Sequence, residues 1–546
     1  MLPPELLDRL LPGTTPVEHW EDTFPARELP EGAEVTRFAP SPTGFVHIGG
    51  VYTAMVAKEL AVRSGGSFFV RIEDTDQHRA VVESDEHFAR AFAHFGIGPT
   101  EPADAPWGPY RQSERAEIYR SHVRTLAERG LAYPCFATRE ELARITEEQQ
   151  AAKVDLGYWG EWAVWRDADA DRVAAALDAG APFVMRFRAP DHPGRVAFDD
   201  EIRGRIEADD NRNDAVLLKS SDEPLPLPTY HLAHVVDDHL MRVTLVLRGD
   251  EWIPSVPLHL QLFDALGFER VRYAHVAPLM KSEGSTRRKL SKRKDPEASV
   301  DYWMAEGYPV GAVRHYLRGL ANSRLADLPF DEAAAEPLRL EEFGAAGPLV
   351  DIPKLDDISA DFVATLPATE IREHLLGWAD EHDPGLASLL RAHGDDVLAM
   401  IDVDRVGTDR IRKDIVRWSA FRERYGFFFP ELFSLVDDPA DERFLGVPPE
   451  VVSAFAADFV AGYDPDTTSP AWFDQVRVLA ERHGFALDRK AHKADPSAFH
   501  GTMREASNIV RVTLTGSGQS PSLDQICAVL GADEVRRRVG APARAS

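Results

Sequence analysis

Residues 34–73, EVTRFAPSPTGFVHIGGVYTAMVAKELAVRSGGSFFVRIE, constrain the fold more than any other part of the chain. EVTRFA reads as a short buried strand, VYTAMVAKELAVRS carries apolar residues at helical spacing, Gly65-Gly66 breaks that pattern, and SFFVRIE reads as a second strand. Strand, helix and strand in so short a span make a βαβ unit, which dictates a parallel sheet with its ligand at the carboxyl ends of the strands. The turn RFAPSPTGFVHIGG, residues 37–50, lies at that edge. Its glycines let a ligand approach the backbone, and the free N–H groups that open the following helix favour an anion.

Two common phosphate-binding turns are excluded. Gly44 and Gly49 have P-loop spacing, but Gly50 and Val51 stand where that loop needs Lys and Ser or Thr. The G-x-G-x-x-G order of dinucleotide folds is missing as well. What remains is His47 at a helix start, which taken alone reads most often as a structural cap.

A second motif gives it context. The chain carries a formal net charge of −28, which opposes a polyanion partner at long range. Residues 281–294, KSEGSTRRKLSKRK, reverse this locally, with basic side chains set against the single acid Glu283. Read by charge alone, the run is either a solvated loop or an anion-binding one. Lys289 and Lys292, three apart in a polar Gly/Ser-rich loop, are suited to neutralising a departing pyrophosphate.

Together, His47-Ile48-Gly49-Gly50 and Lys289-Leu290-Ser291-Lys292-Arg293 resemble the HIGH and KMSKS motifs of class I aminoacyl-tRNA synthetases. RFAPSPTG, VHIGG, RIEDTD (71–76), PTYHLA (228–233), VVDDHLM (235–241), LRGDEW (247–252) and KLSKRKDP (289–296) follow the order found in bacterial-type glutamyl-tRNA synthetases. The helical remainder is similar more loosely, through VRVTLTG and AVLGADEV. The resemblance implies an α/β fold: a Rossmann-like parallel-sheet catalytic domain with an inserted α/β domain, followed by an all-helical anticodon-binding region. The expected division is an extension over 1–32, catalytic halves over 33–130 and 211–270, and an inserted acceptor-binding domain over 131–210. A lysine-loop and stem-contact domain over 271–350 and the helical region over 351–546 complete it. AVLLKS and VTLVLRG read as the catalytic sheet resuming after the insertion.

The implied reaction joins glutamate and ATP into glutamyl-adenylate and pyrophosphate, then moves the acyl group to the ribose of the tRNA 3′-terminal adenosine. Attack at the α-phosphorus builds negative charge, so positioned donors are needed and no protein nucleophile is. His47, Lys289 and Lys292 fit that need; Gly49, Trp252, Leu290 and Ser291 join them around ATP, Gly49 by letting the adenine approach the helix. Mg²⁺ is expected to travel with the nucleotide. Glutamate carries two carboxylates and an ammonium, which call for two cationic forks and an anion. By resemblance Arg37 and Arg248 are the forks and Glu73 meets the ammonium, with Ala39, Ser41, Tyr230 and His234 beside them. His234 stands where many bacterial members have Asn. Glu73, Asp74 and Asp76 read as a metal cluster or, preferably, as caps of a following helix.

The tRNA is expected to meet a basic helix, IRKDIVRWSAFRERYG, with Ile411, Ile415 and Trp418 on one face and Arg410, Lys413 and Arg417 on another. Aromatic residues near Tyr425 to Phe429 read either as a stacking surface for unpaired bases or, with the charged residues paired along a salt-bridged helix, as a core segment. The sequence has only two cysteines, Cys135 and Cys527, which excludes a Cys-rich zinc site, and no zinc is expected. No long apolar run or secretory start is visible, so a cytoplasmic protein is expected, without a membrane partner and monomeric by kinship. Charging of tRNA-Gln as well as tRNA-Glu, glutaminyl specificity and a non-catalytic tRNA-binding paralogue are the competing readings. The short paralogue that modifies queuosine lacks a helical C-terminal third.

Overall fold

The computed structural model describes residues 2–42, 44–76, 83–223 and 226–544, so Thr43 of the opening turn lies outside the described residues. The chain divides into one compact unit of residues 1–302 and 314–351 and another of residues 303–313 and 352–546.

The first unit starts with two short helices, α1 (Pro4–Leu10) and α2 (Val17–Thr23). Proline at the first turn suits α1, because the N–H it lacks would have no helical partner there. Leu6, Leu7, Leu10 and Phe24 are buried in the same core as Ile118, Val123 and Leu126, so the extension is packed into the first unit.

β1 (Val35–Phe38), α3 (Ile48–Arg63) and β2 (Ser67–Val70) form the expected βαβ unit, with β1 and β2 parallel and Val35 opposite Ser67. Gly65, at φ +77°, ends the helix. A Cβ on Gly66 would be driven into the Glu34 carbonyl, so only glycine lets the two strands pair at this point. α4 (Ser84–Phe95) and α5 (Ala116–Glu128) follow.

Next come β3 (Ala132–Cys135), α6 (Arg139–Ala152), α7 (Ala170–Asp178), β4 (Val184–Phe187), β5 (Arg195–Asp200), β6 (Gly204–Asp209) and β7 (Val216–Leu218). α6 is started by a reciprocal capping box between Thr138 and Glu141. α8 (Tyr230–Leu240), β8 (Leu245–Gly249), α9 (Val256–Leu266) and β9 (Arg272–Val276) then restore the parallel pattern, with β8 and β9 in parallel register from Leu245–Arg272 to Gly249–Val276. β1 lies alongside β8, because the Thr244 N–H donates to Val35 O at 3.0 Å and the Val35 N–H to Thr244 Oγ1 at 2.9 Å. β10 (Met280–Glu283) and β11 (Thr286–Lys289) make an antiparallel hairpin that delivers Lys289.

Two expectations are corrected in this unit. AVLLKS does not rejoin the catalytic sheet: its strand β7 pairs antiparallel with β4, in a sheet ordered β3-β4-β7. Hairpin β5–β6 instead reaches the catalytic strands through a parallel bridge from Asp200 to Tyr273. The basic run 281–294 is not all loop, since alternating side chains and Gly284 at φ +60° fold its first part into the β10–β11 hairpin.

The second unit is helical, around a core that includes Ile371, Leu386, Phe421, Phe455, Val512 and Ile526. Arg538, fully buried, donates to the carbonyls of Phe427 and Leu514 at 2.6 and 2.8 Å and pairs with Glu534. Residues 411–426 are not one helix. The backbone N–H groups of Arg412 and Trp418 donate to Asp404 O and Gly307 O, away from any i−4 carbonyl, and Arg417 is extended at φ −164°. Short 3₁₀ turns at Trp418–Ala420 and Gly426–Phe428 flank the five-residue helix Phe421–Tyr425. Tyr425, Phe428 and Phe429 are buried in the helical core, so as folded they present no stacking surface to a base.

Candidate functional site

The carboxyl ends of β1, β8 and β9 open onto a cavity of about 410 Å³. Its wall brings together Arg37, Ala39, His47, Gly49, Glu73, Tyr230, Arg248, Trp252, Lys289, Leu290 and Lys292, drawn from sequence blocks up to 255 residues apart (292 − 37). Ser41 and Ser291 are not on the wall, nor is His234, which is fully buried behind Tyr230.

His47 is the N-cap of α3, and its Nδ1 accepts the Gly50 N–H at 3.1 Å. A Cβ at Gly49 would fall 2.9 Å from that nitrogen, so glycine here makes room for the imidazole itself. The ring opens onto the cavity, yet the surrounding protein displaces much of its hydration. That burial, with the ammonium groups of Lys292 and Lys289, pushes its pKa down to about 4 against a smaller pull from Glu251. A neutral ring with Nδ1 accepting carries its proton on Nε2, which makes it a donor.

Lys292 donates to the Phe45 carbonyl, which ties the lysine loop to the opening turn. Lys289 Nζ lies 4.0 Å from Glu251. The loop is anchored by Asp295, which accepts from Arg288 at 2.6 and 2.7 Å and from the Ser291 N–H at 2.8 Å. Those hydrogen bonds, led by Arg288, hold its carboxyl far below the usual range.

At the other end of the cavity, Arg37 donates to Asp238 at 3.2 Å, and Arg71 pairs with Asp238 at 2.6 Å and Glu73 at 3.0 Å. Burial alone would raise Asp238, but Arg37, Arg71 and His234 outweigh it and hold it well below the usual carboxylate range. Glu73 goes the other way, raised by burial against the pull of Arg71 and Arg37. His234 Nδ1 lies 2.7 Å from Asp238 and its Nε2 2.9 Å from the Tyr273 hydroxyl; burial lowers its pKa to about 3, so it is neutral. Arg248 donates to the Tyr230 hydroxyl and to His275 Nε2, each at 3.0 Å. Trp252 covers Tyr230, with ring centroids 4.2 Å apart.

Sequence reasoning missed Arg71, Asp237 and Asp238. Asp237 accepts from Gln112, Arg115 and Tyr119 at 2.7–2.9 Å, with no water-exposed side chain in the group. The signal was two adjacent acids in α8 amid residues that are otherwise apolar or histidine. Asp74 does not cap a following helix: it accepts from Ser113 N, Ser113 Oγ and Arg111, and so holds the turn Gln112–Arg115. Cys135 donates to the Tyr158 hydroxyl at 3.3 Å. Among the described residues, no group of three or more His, Cys, Asp or Glu is arranged to hold a metal ion, and no helix is long and apolar enough to cross a membrane. In the second unit, Lys413 pairs with Asp361, and Arg417 with Glu306 at 2.9 Å and Asp356 at 3.4 Å, while Arg410 is exposed.

Residues 34–330 match the family model of the catalytic domain of class I tRNA synthetases (E and Q), and residues 499–541 match an anticodon binding domain. A glutamate–tRNA ligase of Acetivibrio thermocellus is 39% identical, covering 98% of each chain. One of Sorangium cellulosum is 40% identical over 96% of this chain and 97% of its own. The crystal structure of a glutamate tRNA ligase from Elizabethkingia meningosepticum, in complex with its amino acid, superposes with a TM-score of 0.75 at 26% identity, covering 94% of this chain and 99% of that one. With the βαβ frame, the cavity at its carboxyl edge and the helical second unit, these similarities establish that the chain belongs to the glutamate–tRNA ligases of the class I aminoacyl-tRNA synthetases.

Proposed function

We propose that the chain activates L-glutamate with ATP and transfers it to the 3′-terminal ribose of tRNA-Glu, releasing pyrophosphate and AMP. The observation that carries this reading is a single cavity in which His47, Lys289 and Lys292 face Arg37, Glu73 and Arg248. Phosphate oxygens of ATP gain charge at the end where His47 Nε2–H and the two ammonium groups stand, and positioned donors there stabilise the transition state. Mg²⁺ arrives with the nucleotide and screens its phosphates. Gly49 and Trp252 flank the adenosine.

The amino acid lies at the opposite end. Arg248 meets one carboxylate, and Tyr230, whose oxygen already accepts from Arg248, has its hydroxyl proton free to donate to the same group. Arg37 meets the other carboxylate and Glu73 the ammonium, whose charge draws the raised Glu73 back to its ionised form. His234 acts indirectly, by supporting Tyr230 in a stacked arrangement. The β3-β4-β7 sheet contacts the acceptor end, and the helical unit with Arg410, Lys413 and Arg417 contacts the tRNA body.

Separately prepared tRNA-Glu and tRNA-Gln, each offered labelled glutamate and labelled glutamine, test this directly. Glutamate on tRNA-Glu is the expected product. Glutamate on both tRNAs identifies a non-discriminating enzyme, and glutamine on either overturns the substrate assignment.

A further inference from the structure

Arg248 differs from the other cationic groups at its end of the cavity. Arg37 and Arg71 share the buried carboxylate of Asp238. Arg248, only 6% exposed, forms no ion pair among the described residues. Its guanidinium is surrounded instead by neutral acceptors: Nε donates to His275 Nε2 at 3.0 Å, one terminal nitrogen to the Tyr230 hydroxyl at 3.0 Å, and the other lies 3.4 Å from His259 Nδ1.

Both imidazoles are fully buried and locked from behind. His275 Nδ1 donates to Asp200 at 2.6 Å, which leaves Nε2 as the acceptor. His259 Nε2 lies 3.0 Å from His231 Nδ1, which leaves its own Nδ1 toward Arg248. A carboxylate in either place would hold Arg248 as firmly but cancel its charge. A lysine or a charged imidazole would repel it.

We propose that His275 and His259, with Asp200 behind the first, are positioning residues that hold Arg248 without neutralising it, so that its full charge faces the side-chain carboxylate of the substrate and excludes the amide of glutamine. The inference rests on the reading of Arg248 as a glutamate ligand. Its requirement is that both imidazoles stay neutral at working pH, and their surroundings favour that. Burial first, then Arg248 and Arg203, lower His275 against the pull of Asp200. Burial, His234, Arg248 and His231 lower His259 against Asp238. The phenols of Tyr230 and Tyr273, the other titratable groups packed against these rings, are themselves raised by burial and uncharged.

The test uses the full chain in tRNA charging and compares the parent with H275E, H275L, H275Q and R248A. H275E, which puts a carboxylate against Arg248, is expected to raise the KM for glutamate more than tenfold and to narrow the preference for glutamate over glutamine, with the KM for ATP within twofold of the parent. H275Q, a neutral acceptor, is expected to recover most of what H275L loses. A glutamate KM unchanged in H275E while R248A is impaired overturns the cradle alone; an unchanged R248A overturns the site reading, and the cradle with it. Nitrogen-15 histidine NMR of the unsubstituted protein, assigned by loss of the H275Q signal, is independent of how the other variants fold. It is expected to show His275 neutral and protonated on Nδ1 at pH 7, and a doubly protonated ring there overturns the proposal.

Discussion

The ammonium of Lys292 donates to the backbone carbonyl of Phe45, a residue 247 positions earlier, so the lysine loop is tied directly to the opening turn. A bound triphosphate offers that ammonium a stronger, anionic acceptor. Lys292→Ala is therefore expected to weaken transition-state stabilisation by roughly 2–4 kcal/mol, as loss of a positioned donor does. Pyrophosphate exchange in the presence of tRNA measures it, and parental turnover in the variant refutes the role.

His47 has two duties that substitution can separate. Asparagine caps helices well, so His47→Asn is expected to keep the unfolding midpoint close to that of the parent. It removes the Nε2 donor, and adenylate formation is expected to fall by about 10²-fold or more. A stable but active variant would show that the imidazole serves only as a cap.

Asp238 is the shared counter-charge of Arg37 and Arg71. Asp238→Asn leaves two guanidinium groups in the interior facing a neutral amide, and removing one partner from a buried pair costs about 3–5 kcal/mol. Urea unfolding is expected to show a loss of that order together with a raised glutamate KM. A loss under 1 kcal/mol would mean that water reaches the group.

His122, far from the cavity wall, has a pKa lowered to about 4 by burial against the edge of Phe268. Between pH 4 and 6.5 the unfolded chain binds a proton that the folded chain does not. Stability at this residue is therefore lost as the pH falls through that window, by on the order of 3 kcal/mol. His122→Phe is expected to flatten the dependence of the urea midpoint on pH from 7 to 4.5, and an unaltered slope rules out this residue as the source.

How far the sequence could be read depended on whether a feature is local. The βαβ unit follows from apolar spacing and the Gly65-Gly66 break, and both hold because neighbouring residues decide them. The pairing of β7 with β4 is set by partners about 30 residues away and carries no local mark. Residues 411–426 have a helical pattern, but their backbone donors are claimed by Asp404 and Gly307, which no periodicity reveals. At the site, Arg37, Glu73, Tyr230 and Arg248 stood out only through the resemblance of the motifs that hold them, since each arginine alone reads as a surface salt bridge. Asp238 and His275 did not, because a buried acid between two arginines and a neutral imidazole behind a third are recognisable only once the strands are assembled.

The β5–β6 hairpin lies between β4 and β7 in the chain but is bridged to β9 in the catalytic frame. The β3-β4-β7 sheet and the β6-β5-β9-β8 sheet are thus interleaved along the polypeptide. No single excision between two nearby cut points lifts out the β3-β4-β7 sheet and leaves its host whole. Exchange of this segment between relatives must carry the hairpin, and with it Asp200, the residue that orients His275. A chimaera built as if the β3-β4-β7 segment were a detachable cassette would disturb the cavity at Arg248 from a seam that never enters it.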